Sequence, residues 1–157
     1  MGPAAGETML GARAFTLEGW IRRDGASWGV TTNTGTGGIT GVPLITKGRG
    51  EAEGSMVDCN YFLGITASGR IVADFEQFAI GGSGNLPAGQ NRPICATTSI
   101  TDQQWHHVAV TYSMATGWRV YVDDLDRTSA DGLPATCGAD SGAPTPCASA
   151  SSSCPSL

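Results

Sequence analysis

An all-β, antiparallel double-sheet fold is what this sequence predicts, on three observations. Short runs rich in β-branched and aromatic residues recur along the chain, divided by turn residues at fairly regular intervals. Glycine supplies 23 of the 157 residues, as a fold with many turns requires. No stretch sustains the i, i+3, i+4 apolar spacing of an amphipathic helix, and none is apolar for 18 residues, which argues against helical layers and against membrane insertion. The length allows one domain.

Residues 1–8 read as a flexible lead-in. From Ala14 to Arg23 the chain alternates, with Phe15, Leu17, Gly19 and Ile21 on one face and Thr16, Glu18, Trp20 and Arg22 on the other. That is a half-buried strand with one aromatic ring on its outer side, ended by Asp24-Gly25. Trp28 to Gly41, rich in Gly and Thr, suits a long surface loop or an irregular hairpin. Val42 to Gly48 is a short strand whose Pro43 places it at an edge or entry position. Arg49 to Asp58 is a polar loop. Asn60–Thr66 and Arg70–Phe75 pair across Ala67-Ser68-Gly69 as a hairpin. Glu76 to Pro93 is a second loop, and Ile94 to Ile100 a strand leading toward Trp105.

The most informative segment follows. Trp105-His106-His107-Val108-Ala109-Val110-Thr111-Tyr112 and Trp118-Arg119-Val120-Tyr121-Val122-Asp123 read as two strands, joined by a break that ends on Gly117, a residue free to take positive φ. In its residues this pair resembles the hallmark of laminin-G-like, concanavalin A-type jellyroll domains. Phe15 to Ile21 resembles the opening strand of that family, and Tyr61–Ile65 with Gly69–Phe75 its central hairpin. The resemblance covers residues 9–128 and implies a jellyroll β-sandwich lacking its last strands, with an open sheet edge and marginal stability alone. Where the family usually has Asp-Gly or Asn-Gly this chain has Asp123-Asp124. Residues 129–157 form a Ser/Ala/Pro/Gly/Cys tail too poor in apolar side chains to order itself, read either as a disordered linker or as out-of-frame translation.

Formal net charge is −5, and of nine basic residues only Lys47 is a lysine. The arginines are scattered, which argues against nucleic acid as a partner. No secretory signal is visible at the N-terminus. The resemblance nevertheless implies an extracellular or cell-surface setting, so the chain is expected to be part of a longer parent with other domains. Five cysteines are present, none in a zinc-ligand spacing. Given export, a Cys59–Cys95 disulfide is one option and two unpaired thiols the other.

The candidate chemistry is sparse. His106 and His107 point to opposite faces of a strand and cannot chelate one metal, so packing and hydrogen bonding are their expected roles. Laminarinase-type enzymes of the fold carry Glu-x-Asp-x-x-Glu on one strand; Asp74-Phe75-Glu76, with Val72 and Ala79 at the other positions, does not meet that pattern. Calcium is the one cofactor the resemblance implies, with Asp58 and Asn60 as first candidates at a strand entrance and Glu51 and Glu53 in the loop before. Trp28 is the tryptophan whose Gly-rich surroundings suggest an exposed platform for a ligand, while Trp20 and Trp118 face outward or inward according to register. The expected function is a non-catalytic module binding carbohydrate or protein. The alternatives are a structural spacer without its own ligand and, less favoured, a glycoside hydrolase.

Overall fold

The computed structural model describes residues 14–25, 29–35, 38–48, 60–77, 90–113 and 115–129. Their regular structure is all strand: β1 (Ala14–Arg22), β2 (Thr32–Asn33), β3 (Thr40–Lys47), β4 (Tyr61–Ile65), β5 (Arg70–Asp74), β6 (Glu76–Gln77), β7 (Gln90–Asn91), β8 (Ile94–Ser99), β9 (Trp105–Ser113), β10 (Gly117–Val122) and β11 (Leu125–Asp126). They form a four-stranded sheet in the order β1-β9-β10-β11, a five-stranded sheet in the order β2-β3-β4-β5-β8, and a small β6-β7 ribbon. All pairings are antiparallel. The long Trp105 strand thus lies between the opening strand and its hairpin partner, and the crossing from sheet to sheet makes a two-layer sandwich.

Local chemistry sets the turns. Gly117 takes φ 67° beside the Ser113–Gly117 pair that closes the β9–β10 hairpin, and Gly69 takes φ 82° between β4 and β5. Val122 pairs with Leu125 across Asp123-Asp124, both left-handed at φ 51° and 63°. A two-residue hairpin needs that conformation, and Asp reaches it at more cost than Gly. Pro43 sits beside a register shift in the β3–β4 pairing, where a missing N–H is tolerated. After β11 the chain passes to the other sheet, with Thr97 N–H donating to the Arg127 carbonyl and Ala96 bridging to Thr128.

The main core lies between the sheets, built on Leu63, Ile65, Ile71 and Ile94 from one side and Val108, Val110, Trp118 and Val120 from the other. Phe15, Phe75, Tyr112 and Trp118 pack as an aromatic cluster within it, with ring centroids between 4.6 and 6.1 Å apart. A second, smaller core of Ile39, Phe62, Val72 and Cys95 covers the far face of the five-stranded sheet. Phe62 lies across Gly64 so closely that any side chain there would collide with its ring. Near this second core Asp74, wholly buried, accepts hydrogen bonds from the Thr34 hydroxyl (2.5 Å) and the Arg92 N–H (2.8 Å). Trp118 Nε1–H in turn donates to the Arg92 carbonyl at 2.7 Å. The five-stranded sheet is therefore packed on both faces. Among the described residues, no second layer covers the outer face of the four-stranded sheet.

Candidate functional site: the outer face of the four-stranded sheet

Strand alternation puts Ala14, Thr16, Glu18, Trp20 and Arg22 of β1 on this outer face. In register beside them stand Ser113, Thr111, Ala109, His107 and Trp105 of β9, and beyond these Gly117, Arg119 and Tyr121 of β10. Trp20 is 67% exposed and Trp105 63%, high values for residues that normally bury most of their surface. They are diagonal neighbours: Trp20 faces His107 in the ladder, and Trp105 faces Arg22. The Trp20 and His107 ring centroids are 5.4 Å apart at 52°. Half-buried Tyr121 adds a fourth ring across Ala109. Aromatic surface is thus gathered at one end of the face without a covering layer among the described residues.

Polar groups frame the rings. Glu18 Oε2 lies 3.9 Å from His107 Nε2, and Arg22 Nε is 2.7 Å from Asp24 Oδ1. The His107 N–H donates to Asp123 Oδ1 at 3.0 Å. His106, on the opposite face, is buried, with Nδ1 2.7 Å from Asp123 Oδ2 and Nε2 3.1 Å from the Thr101 carbonyl. Both partners are acceptors, and the ring nitrogen that carries the proton donates to its own. The His106 hydrogen bond holds the Asp123 carboxyl below its ordinary range, with the His107 N–H helping. Asp123 therefore ties the β10–β11 turn to the strand that carries Trp105 and His107. The two histidines, adjacent in sequence, lie on opposite faces of β9, as their alternation predicts.

The other residues singled out from the sequence are distributed as follows. Trp28, Asp58 and Cys59 lie outside the described residues, as do Glu51 and Glu53. Asn60 is exposed at the entrance of β4, its N–H donating to the Lys47 carbonyl at 3.0 Å. Among the described residues no group of three or more His, Cys, Asp or Glu side chains is placed to hold a metal ion. Cys95 is disulfide-bonded; its partner lies outside the described residues. Trp118, whose direction the sequence left open, is fully buried. Sequence reasoning placed Trp20 on an outer side but did not single out Trp105, although its parity with His107 carries that information.

A family model of the concanavalin A-like lectin/glucanases superfamily, of the laminin-G type, matches residues 3–150. The chain belongs to that superfamily. The match agrees with the two antiparallel sheets and with the laminin-G-like character of the Trp105 hairpin. No curated protein and no solved structure matches the chain. The superfamily's name covers both lectins and glucanases, so a laminin-G-like domain of this kind fits a binding or a glycosidase module. No helix among the described residues is long and apolar enough to cross a membrane.

Proposed function

We propose that this laminin-G-like domain is a non-catalytic binding module that recognises carbohydrate through the outer face of the four-stranded sheet. The observation that carries the reading is the exposure of Trp20 and Trp105 as diagonal neighbours on adjacent strands, with the His107 ring against Trp20. Sugars lay their C–H faces on such rings while neighbouring polar groups take the hydroxyls. Isolated exposed apolar residues need no explanation, but two tryptophans on adjacent strands of an uncovered sheet do.

Three of the described acids support the non-catalytic part. A retaining glycosidase needs two carboxyls about 5–5.5 Å apart beside its substrate. Asp74, from the strand where the glucanase pattern was sought, is wholly buried and committed to Thr34 and to the Arg92 N–H. Asp123 is held by His106 and His107. Glu18 is the one carboxylate of β1 on the aromatic face. The Cys95 disulfide fits an oxidising, extracellular or cell-surface setting, as part of a larger protein.

The test is a glycan array probed with the wild-type chain, with Trp20→Ala and with Trp105→Ala. Specific binding lost in both variants supports the reading. An array on which wild type binds nothing, or on which both variants bind as wild type does, refutes it.

A further inference from the structure

We propose that Cys95 is cross-linked to Cys137, so that the tail beyond Ser129 is stapled to the five-stranded sheet. Cys95 is wholly buried and disulfide-bonded, in register with Val72 and packed with Ile39 and Phe62 in the second core. Four other cysteines compete for it: Cys59 on the N-terminal side, and Cys137, Cys147 and Cys154 on the C-terminal side. Position decides among them.

Cys59 is too far away. Gly64, Val72 and Cys95 stand in one row across β4, β5 and β8. Asn60 lies four residues from that row, about 14 Å along the strand, and two strands across from β8, about 10 Å. Its N–H donates to the Lys47 carbonyl, which holds it toward β3, on the side away from β8. The Cα atoms of Asn60 and Cys95 are therefore roughly 16 Å apart. Cys59 immediately precedes Asn60, so its Cα comes at most about 4 Å nearer. A disulfide requires Cα atoms within about 7 Å of each other. Cys59 fails by a wide margin.

The C-terminal side begins next to the bond. Thr97 N–H donates to the Arg127 carbonyl at 2.7 Å, Thr128 bridges to Ala96, and Ser129 N–H donates to the Cys95 carbonyl at 3.2 Å. Residues 127–129 thus run antiparallel along β8, and Ser129, 4% exposed, is held one strand spacing, about 5 Å, from Cys95. Cys137 comes eight residues later, Cys147 eighteen and Cys154 twenty-five. All three can reach back, so closure entropy ranks them. The chance of closing a flexible loop falls as the 3/2 power of its length, which favours Cys137 about threefold over Cys147 and about fivefold over Cys154. The family match, which runs to residue 150, likewise takes in Cys137.

The bond forms by thiol–disulfide exchange. The Cys95 and Cys137 thiols pass two electrons and two protons to a disulfide oxidant, which leaves as two thiols while the protein S–S bond closes. Residues 130–137 gain an anchor that their composition does not supply. The staple lies on the far face of the five-stranded sheet, away from Trp20 and Trp105.

The test is digestion of the full chain, folded under oxidising conditions, alkylated and left unreduced, with a protease that cuts before Asp. Cuts before Asp58, Asp74, Asp102, Asp131 and Asp140 place Cys59 in fragment 58–73, Cys95 in 74–101, Cys137 in 131–139, and Cys147 with Cys154 in 140–157. Mass spectrometry is expected to find 74–101 joined to 131–139, the two separating on reduction. Fragment 74–101 joined to 58–73 or to 140–157, or recovered with Cys95 alkylated, overturns the proposal and leaves the carbohydrate reading untouched.

Discussion

Replacing Asp74 tests the energetics of the fold most sharply. Its carboxylate is wholly buried and accepts the Thr34 hydroxyl at 2.5 Å and the Arg92 N–H at 2.8 Å, joining a loop before β3 to the segment before β8. Arg92 is itself buried, and burial pushes its guanidinium below the ordinary range while Asp74 pulls it back. Asp74→Ala leaves two donors without this acceptor and takes a carboxylate charge away from the neighbourhood of Arg92. At about 1–3 kcal/mol per orphaned donor, the loss is expected at about 2–5 kcal/mol. Asp74→Asn keeps an oxygen for the Arg92 N–H and offers an amide to the Thr34 oxygen. It is expected to lose about half as much or less, on the order of 1–2 kcal/mol. Whole domains are stable by only about 5–15 kcal/mol, so the Ala variant stands near unfolding. Urea denaturation followed by near-UV circular dichroism, with Trp118 as the buried reporter, measures both. An Ala variant within about 1 kcal/mol of wild type, or an Asn variant weaker than Ala, refutes the reasoning.

Three further outcomes follow from the same geometry. Asp124→Gly relieves a left-handed φ of 63° and is expected to stabilise the domain by roughly 0.5–1 kcal/mol, seen as a higher urea midpoint with unchanged slope. Asp123 has a carboxyl pKa depressed chiefly by its His106 hydrogen bond; its contribution is therefore present above the ordinary carboxylate range and lost as pH falls through the folded value. Acid titration of wild type should thus show a steeper loss of stability than Asp123→Asn does, by a modest and salt-sensitive margin because the side chain is half exposed; identical acid profiles contradict this. Removing calcium with EDTA is expected to leave glycan affinity unchanged, since the proposed contacts are rings and hydroxyls. A large loss on chelation, reversed by added calcium, would instead put the binding at the Asp58–Asn60 strand entrance.

Much of the fold was legible because short-range rules govern it. The alternation of Ala14 to Arg22 gave the inner and outer faces of β1, and Gly117 gave the hairpin turn. Adjacent histidines gave two opposed environments. Asp123-Asp124 was visible as a departure from the usual turn, and the structure resolves it as a hairpin closed at the expense of two left-handed aspartates. The Thr34–Asp74–Arg92 cluster was not legible, since its members are brought together by strand packing across separations of 40 and 18 residues and no periodicity encodes that. The site was half legible. Alternation put Trp20 on the side of its strand opposite Phe15 and Leu17, but its facing outward was left to register, because exposure depends on whether another layer covers the sheet, and sequence does not show which sheet is sandwiched on both faces. That difference, with the second core formed by Ile39, Phe62, Val72 and Cys95, selects the four-stranded sheet as the open one. Trp28 drew attention through its neighbours alone, and Trp105 escaped it because the family hallmark reads as structural.

The most direct measurement compares glycan affinity among Trp20→Ala, Trp105→Ala and Trp28→Ala by calorimetry, with thermal melts as a folding control. Each outer-face truncation is expected to weaken binding about tenfold or more with an unchanged melt, while Trp28→Ala binds as wild type does. Loss of binding in Trp28→Ala alone, with Trp20→Ala and Trp105→Ala unaffected, contradicts the assignment of the ligand to this face.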